Sequence, residues 1–335
     1  MNRTWLAAGL LGQIVFLSIA ASARSSSLKD SLLTSFHKEA PRGWKELREY
    51  NYGLSGTFTE LIEPLSGMPA TVHAKITHEV KGSPSGFLDH RIEESDGNVF
   101  EYIEGINSEY TFLIERSKTS KLWKINRLTR DKKYMETLIE TYAKPLFVSH
   151  SIDGQDLAWT AAQPGFRVNK LTPVKENGLD LVVLDFNSSA YQRKDYQIRS
   201  GRVWLEPAKR WAVHRFDLEL FLDAPATSSG KVEYDGQVEG YSVPKSYVFD
   251  YKAKETDQGL FHKRRSTSFE LSKGVVPAAE FRLPAYGLPE PFDSPRRSTW
   301  PAWMWPVLLA IICLAISASL KIAARSRSST NSVTS

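Results

Sequence analysis

Two carboxylates stand at a spacing that suits glycoside hydrolysis. Asp217 and Glu219 alternate within the run WAVHRFDLELF, whose period of two predicts a β-strand. Both side chains then lie on one face, about 7 Å apart by strand rise. Carboxylates at such a separation can share the acid and base roles of a glycosidase. Solvated or cross-strand paired carboxylates are the far more common outcome, and that alternative is favoured here.

The seven histidines do not form a site by their spacing. His73 and His78 are five residues apart on a predicted strand, so they face opposite sides and cannot chelate one ion there. His214 would share one face of the strand with Phe216 and Leu218, which favours a core or interface histidine over a catalytic base. The chain has no Gly-x-Ser-x-Gly elbow, no His-Glu-x-x-His motif and no glycine-rich phosphate loop. We therefore predict a protein that is not an enzyme and holds no metal or cofactor.

The only cysteine, Cys313, lies in an apolar stretch near the C-terminus. Residues 24–299 therefore contain no disulfide, no thiol nucleophile and no cysteine metal ligand. A region of that length can bury an ample core without such crosslinks. Its size suits one large β domain or two small ones.

The first 23 residues have the layout of a secretory signal peptide. Arg3 gives a positive start, an apolar stretch follows, and Ala21-Ser22-Ala23 offers a small-x-small cleavage site. We predict cleavage between Ala23 and Arg24. An uncleaved N-terminal anchor is the alternative, and either one exports the domain that follows.

Residues 300–322 are predicted to form a transmembrane helix. The stretch from Ala302 to Leu320 carries no charge and is close to the roughly 20 residues that cross a bilayer core. Aromatic and basic residues that suit the two membrane interfaces flank it: Trp300, Trp303, Trp305, Lys321 and Arg325. With the signal peptide, this predicts a single-pass protein of the inner cell membrane, with a large periplasmic or extracellular domain and a cytoplasmic tail at 323–335.

The net charge of +5 does not indicate nucleic-acid binding. Residues 1–23 and 300–335 contain four basic residues and no acidic one, which leaves 39 basic and 38 acidic residues in between. The basic surplus thus belongs to targeting and topology. We predict that the protein contacts membrane lipids and does not bind nucleic acid.

The exported region, 24–283, reads as strands with a few helices. A helix is predicted over 28–40, continuing at 44–50 after a break at Pro41-Arg42-Gly43, and others over 131–145 and 156–162. Alternating or β-branched runs predict the strands 55–62, 70–80, 86–93, 98–103, 109–116, 121–128, 179–186, 201–205, 211–222, 231–238, 244–252 and 261–271, and 280–283 is predicted to be the last ordered piece. Four prolines between 284 and 299 predict a semi-rigid spacer.

This order of elements resembles the LolA/LolB-type lipoprotein carriers, which sort lipoproteins to the outer membrane. The resemblance covers Leu28 to Leu283 and rests on strand order, on Phe58 in SGTFTELIE and on the GRVWLEP hairpin. It implies a mainly β, α+β fold, in which a curved antiparallel half-barrel of about eleven strands is covered by helices. The chain departs from the family in having its own transmembrane tether and no lipoprotein cysteine, so ferrying between membranes is in doubt.

The resemblance also implies an apolar cavity that holds acyl chains. Candidate lining residues, with a lid formed by the last four, are Val72, Ile76, Phe112, Ile114, Trp123, Ile125, Tyr134, Met135, Leu138 and Ile139. The expected ligand is a lipid or a lipoprotein. The alternative is a filled core in a structural or sensory envelope module that binds another envelope protein, and sequence alone does not separate the two.

Overall fold

A computed structural model describes residues 31–66, 74–95, 97–131, 143–189, 197–222, 224–256 and 259–291, with short pieces at 306–307, 309–314 and 316–319. Several predicted features lie outside the described residues. They are the signal peptide with Ala23 and Arg24, the cavity residue Val72, the lid residues Tyr134, Met135, Leu138 and Ile139, and the interface anchors Trp300, Trp303, Trp305, Lys321 and Arg325.

The domain is mostly β, as predicted, and is built on one antiparallel sheet of thirteen strands. The strands are β1 (Leu54–Ser66), β2 (Ala74–Ser83), β3 (Gly86–Ser95), β4 (Asn98–Asn107), β5 (Thr111–Ser117), β6 (Lys124–Thr129), β9 (Phe166–Glu176), β10 (Leu179–Ser188), β11 (Gln197–Glu206), β12 (Ala212–Leu222), β13 (Ala224–Val238), β14 (Tyr241–Thr256) and β15 (Gly259–Lys273). The short strands β7 (Ser151–Ile152) and β8 (Gln155–Asp156) form a separate hairpin.

The order of the sheet is β6-β5-β4-β3-β2-β1-β15-β14-β13-β12-β11-β10-β9. The first and last strands of the chain's meander therefore meet in the middle, where β1 pairs with β15. The two edges, β6 and β9, do not pair with each other in this order, so the described sheet does not close into a barrel. It has thirteen strands where the resemblance implied about eleven.

Strand β9 escapes prediction because FRVNKLTPVKE alternates weakly and contains Pro173. Its position explains this composition. An edge strand has one unpaired side, where proline and lysine are tolerated and discourage pairing with another chain.

One face of the sheet is covered, and this covered face carries Phe58, Phe186 and Phe216. Helix α1 comprises the described residues 31–51 and contributes Phe36, Trp44 and neighbouring residues to the same core. The predicted break at Pro41-Arg42-Gly43 is wrong, because the helix runs through it. Packing of its apolar stripe onto the sheet outweighs the local cost of a proline.

Residues 143–162 complete the described cover. A 3₁₀ turn at Lys144–Phe147 leads into the β7–β8 hairpin and then α2 (Leu157–Ala161). The prediction of a short helix at 156–162 is confirmed, and the Asp156 side chain caps it by accepting a hydrogen bond of 2.8 Å from the Trp159 amide. The predicted helix at 131–145 lies largely outside the described residues.

The opposite face carries a second, smaller core. Residues 277–286, here called the C-terminal strap, pass over β3–β5 as two 3₁₀ turns, Ala278–Phe281 and Leu283–Tyr286, where a last ordered piece was predicted. Phe281 and Leu283 are fully buried. Asn107 donates a hydrogen bond of 2.9 Å to the Phe281 carbonyl, and the Leu283 amide donates one of 3.1 Å to the Tyr110 hydroxyl. The strap thus ends the compact unit at Tyr286.

The predicted transmembrane segment lies in a second unit that begins at Gly287. Its described pieces, 306–307, 309–314 and 316–319, are helical. Within the described residues, no helix has the length and apolar character needed to cross a membrane.

Candidate functional site

Charged side chains gather on the covered face of β1–β4, where the alternation of the strands would place apolar residues. The register aligns His78 with Phe58 on β1 and with Arg91 on β3. The members of this ionic cluster are Glu60, His78, Asp89, Arg91 and Glu104, and each is at most 6% exposed. Burying charges in this way is costly unless they are paired.

His78 is held between two carboxylates. Its Nδ1 lies 2.9 Å from Asp89 Oδ1, its Nε2 lies 3.2 Å from Glu60 Oε1, and Phe58 stacks on the ring at 4.1 Å. Burial would lower the pKa of His78, but Asp89 and then Glu60 outweigh it and raise that pKa to about 9. Both nitrogens of the imidazolium donate to carboxylates, so neither offers the lone pair that a general base or a metal ligand needs.

Glu104 has the opposite balance. Burial raises its pKa to about 8, opposed by Arg91, whose Nη1 lies 3.7 Å away, and assisted by Asp89. Both of its carboxyl oxygens are buried, and neither has a hydrogen-bond partner in the described part of the chain. The carboxyl group is therefore largely protonated at neutral pH, which avoids a buried negative charge.

Arg265 links the ionic cluster to β15. Its Nη1 lies 3.0 Å from Glu60 Oε2, so Glu60 contacts both His78 and Arg265. On the far side, Arg91 Nε lies 2.9 Å from Glu93 Oε1 and its guanidinium stands 4.8 Å from the centre of the Tyr102 ring. The network therefore runs across the covered face from β15 to β4.

The covered face is left partly open where these strands end. Ile62, next to Arg265 in the register, and Ile76, next to Glu60, are both half-buried. Phe100 lies in the same row as Ile76 and is 46% exposed. We call Ile62, Ile76 and Phe100 the open end. It is an apolar edge beside a buried, charged interior.

Comparison with known proteins adds no family. No family model matches the chain, and the search of curated proteins finds no match either. The resemblance to the LolA/LolB-type carriers stays a prediction from strand order and short motifs.

The predicted cavity residues do not line one surface. Ile76 lies on the covered face, but the register places Ile114 opposite Ile103 and Phe112 opposite Gly105, on the opposite face. Phe112 and Ile114 are fully buried there, in the core under the C-terminal strap. Alternation tells which residues of one strand share a face, but it does not tell which face of the sheet that is.

Trp123 and Ile125 also belong to the opposite face. Ile125 pairs with Ile114 and is 40% exposed. Trp123 is half-buried, with the Arg116 guanidinium 4.3 Å from the centre of one ring and Tyr286 edge-on at 6.3 Å. Both residues therefore border the small core and are separated by the sheet from Ile76.

Asp217 and Glu219 do share a face, as predicted, and it is the opposite face. They lie in a shallow groove of about 570 Å³ over β10–β15. Asp217 Oδ2 lies 2.8 Å from Arg215 Nη2, and Glu219 accepts a hydrogen bond of 2.8 Å from the Ser200 hydroxyl. Such pairing is the structural outcome favoured for these carboxylates.

His214 falls outside the regular alternation that was expected to place it on the same face as Phe216. The pairing of β11 with β12 skips it, because Trp204 pairs with Arg215 and Leu205 with Val213, so His214 occupies a β-bulge. Its Nε2 lies 2.7 Å from Glu206 Oε2, and burial lowers its pKa although Glu206 opposes this. It is a half-buried, carboxylate-paired histidine. Within the described residues, no group of three or more His, Cys, Asp or Glu side chains is arranged to hold a metal ion.

Spacing alone did not reveal the ionic cluster. The sequence contains one indication of the cluster. His78 shares one face of its strand with Ile76 and Val80, so it occupies an inward position. Asp89 and Glu104 have no such signal, because Leu88 before Asp89 and both sequence neighbours of Glu104 are also buried. Only the pairing of β3 with β2 and β4 brings them to His78.

Proposed function

We propose that the protein is a membrane-anchored, exported binding module that holds a lipid or an acylated partner on its covered face. The exported domain would sit on the periplasmic side of the inner membrane, tethered by residues 300–322. The curved half-barrel of the LolA/LolB-type carriers would provide the shape. The sequence prediction of a signal peptide and a membrane span supports this placement.

The open end is the observation that carries the proposal. Ile62, Ile76 and Phe100 expose apolar surface on the same face as the main core. Phe249 of β14 lies in the same row as Ile62, since Phe249 pairs with Arg265 and Arg265 pairs with Ile62. An acyl chain needs only apolar contact, and each buried methylene contributes about 0.8 kcal/mol.

Binding fits the ionic cluster better than catalysis does. Both nitrogens of His78 are engaged by carboxylates, and Glu60 is shared with Arg265. A cluster of this kind stabilises the pairing of β1–β4 and makes this part of the covered face polar.

A filled core in a structural or sensory envelope module is the second candidate. The packing of α1 favours it, since Phe36, Trp44 and Trp211 are each at most 2% exposed. Such a module would recognise another envelope protein by its surface and retain no lipid.

The two candidates differ in bound lipid. The full chain is exchanged from detergent into amphipol, and retained lipid is quantified by mass spectrometry for the wild type, Ile62→Asn and Leu61→Asn. These neighbours on β1 point to opposite faces, and Leu61 is 45% exposed. We expect Ile62→Asn to lose lipid and Leu61→Asn to retain it. Equal retention in all three proteins would refute the proposal.

A further inference from the structure

A positively charged corner lies on the covered face next to the open end. Lys263 and Arg265 are two residues apart on β15 and therefore share this face. There Arg265 pairs with Phe249 and Ile62, and Lys263 pairs with Tyr251. Both cations are half-buried, and Lys263 Nζ lies 5.7 Å from the centre of the Tyr251 ring. Aromatic side chains and two cations thus meet at one place.

Arg265 has hydrogen-bonding capacity to spare. A guanidinium carries five N–H donors in a planar fork. The contact with Glu60 engages Nη1, while Nε is buried and makes no hydrogen bond to any residue that the structure describes. The side chain as a whole is 24% exposed, so the group is reachable from the open end.

Two buried hydroxyls flank the same corner. Thr267 is two residues from Arg265 on the same face of β15, and Ser228 pairs with Tyr251, the neighbour of Lys263. Each residue is 3% exposed, and each hydroxyl lacks a hydrogen-bond partner among the described residues. A buried polar group without a partner destabilises the protein, and hydrogen bonds to the oxygen atoms of a ligand would relieve that cost.

The electrostatics of the corner favour an anion. The pKa of Lys263 is lowered by burial and by the charges of Arg265 and Lys144, while Asp153 opposes this. A bound anion would stabilise the charged form of Lys263. Carboxylates and phosphates are the groups whose geometry matches an arginine fork.

We infer that the covered face selects an amphiphile with an anionic headgroup, a carboxylate or a phosphate ester, which contacts Arg265 and Lys263 while its chain lies along the apolar residues of the open end. The inference rests on the proposed function and specifies its ligand. Headgroup and chain are recognised together, so an anion without a chain is a poor ligand.

Photolabelling of the full chain tests this in nanodiscs of neutral phosphatidylcholine. The probes are a photoreactive fatty acid and its methyl ester, and the labelled peptides are mapped by mass spectrometry. Because hydrogen bonds to charged groups are strong, we expect the acid to label covered-face peptides of β1, β14 and β15 at least about tenfold more than the ester. Millimolar inorganic phosphate should not compete.

Two variants identify the residue responsible. Arg265→Gln should lose the preference for the acid while labelling by the ester is unchanged. Arg264→Gln is the matched control, since Arg264 lies on the opposite face, is 45% exposed and pairs with Asp250 at 3.0 Å. Because Arg265→Gln leaves Glu60 without this partner, the double variant Glu60→Gln/Arg265→Gln repeats the test, and circular dichroism checks that each protein is folded.

The outcomes separate this inference from the function beneath it. Equal labelling of covered-face peptides by acid and ester in the wild type would refute the selection of an anionic headgroup and would leave the proposal of lipid binding intact. Labelling of those peptides by neither probe would overturn both. Displacement of the acid by inorganic phosphate alone would overturn the joint recognition of headgroup and chain.

Discussion

Trp44 Nε1 donates a hydrogen bond of 2.8 Å to the carbonyl oxygen of Trp211, which joins α1 to the start of β12. The turn before β12 is unusual, because Arg210 and Trp211 have φ values of 59° and 61°. Arg210 Nε also donates a hydrogen bond of 2.8 Å to Glu46 of α1. The helix α1 therefore packs against the turn between β11 and β12, and Trp211 takes part in that contact.

Removing the indole N–H of Trp44 should destabilise the domain. Trp44→Phe keeps most of the ring volume but leaves the Trp211 carbonyl without this donor in a buried site, at a cost of about 1–3 kcal/mol. Trp204→Phe is the control, because Trp204 is half-buried and lies against Arg215 at 4.6 Å. Urea unfolding followed by circular dichroism should separate the two. Equal midpoints would show that the Trp44 contact contributes nothing.

Gly43 should tolerate no side chain, although it lies in a helix. Alanine is favoured over glycine by about 1 kcal/mol in a helix interior. Here a Cβ atom would stand 2.5 Å from the Arg210 carbonyl oxygen, a backbone atom that cannot move without shifting the turn. We expect Gly43→Ala to lower the melting temperature.

Gly274→Ala provides the comparison for Gly43, since its nearest neighbours would be 3.9 Å away. It should leave the melting temperature almost unchanged. A stabilised Gly43→Ala protein would mean that α1 does not approach the turn closely.

Glu104 should make the domain less stable as pH rises. Its folded pKa of about 8 lies above the ordinary value of 4.5 for a glutamate, so the folded state holds a proton that the unfolded state releases. The stability linked to this proton is complete below pH 4.5 and is lost as pH rises through 8. Glu104→Gln mimics the protonated form and lacks this loss.

The advantage of Glu104→Gln over the wild type in melting temperature should therefore grow from about pH 4.5 to pH 8 and then level off. Thermal melts of both proteins across this range measure it. Glu115→Gln, on the same face but partly exposed, controls for the change of charge. An advantage that shrinks with rising pH would contradict the assignment.

Two buried histidines should titrate at opposite ends of the pH scale. Asp89 and Glu60 raise the pKa of His78 to about 9, whereas burial, aided by Arg48, lowers that of His150 to about 3. The stability that His78 contributes is present below pH 6.5 and lost as pH rises through 9, while that of His150 is lost as pH falls below 6.5. NMR titration of selectively labelled histidines should show both shifts. Two values near 6.5 would refute the burial of these rings.

The sequence predicts strands better than it predicts what the strands share. Most of the sheet follows from alternation, since a half-buried strand carries its pattern locally. The face on which Phe112 and Ile114 lie depends on the C-terminal strap, more than 160 positions later in the chain. Likewise, Trp211, far along the chain, contacts Phe36 and Trp44 of α1 on either side of Pro41. Long-range packing decides such features, and periodicity contains no information about it.

The ionic cluster shows the same limit in the candidate site. His78, Asp89 and Glu60 come from three strands, and pairing alone brings them within hydrogen-bonding distance. Asp217 and Glu219 share one strand, and there alternation was enough to place both on one face.

Lipid contact at the open end can be measured directly by photocrosslinking from the protein. Benzoylphenylalanine replaces Phe100 at the open end in one protein and Leu122, which is 81% exposed in the turn before β6, in another. After irradiation of the full chain in native membranes, mass spectrometry identifies what each position has captured. The proposed function predicts acyl-lipid adducts at position 100 well above those at position 122. Equal lipid adducts at the two positions, or capture at position 100 of protein alone, would contradict it.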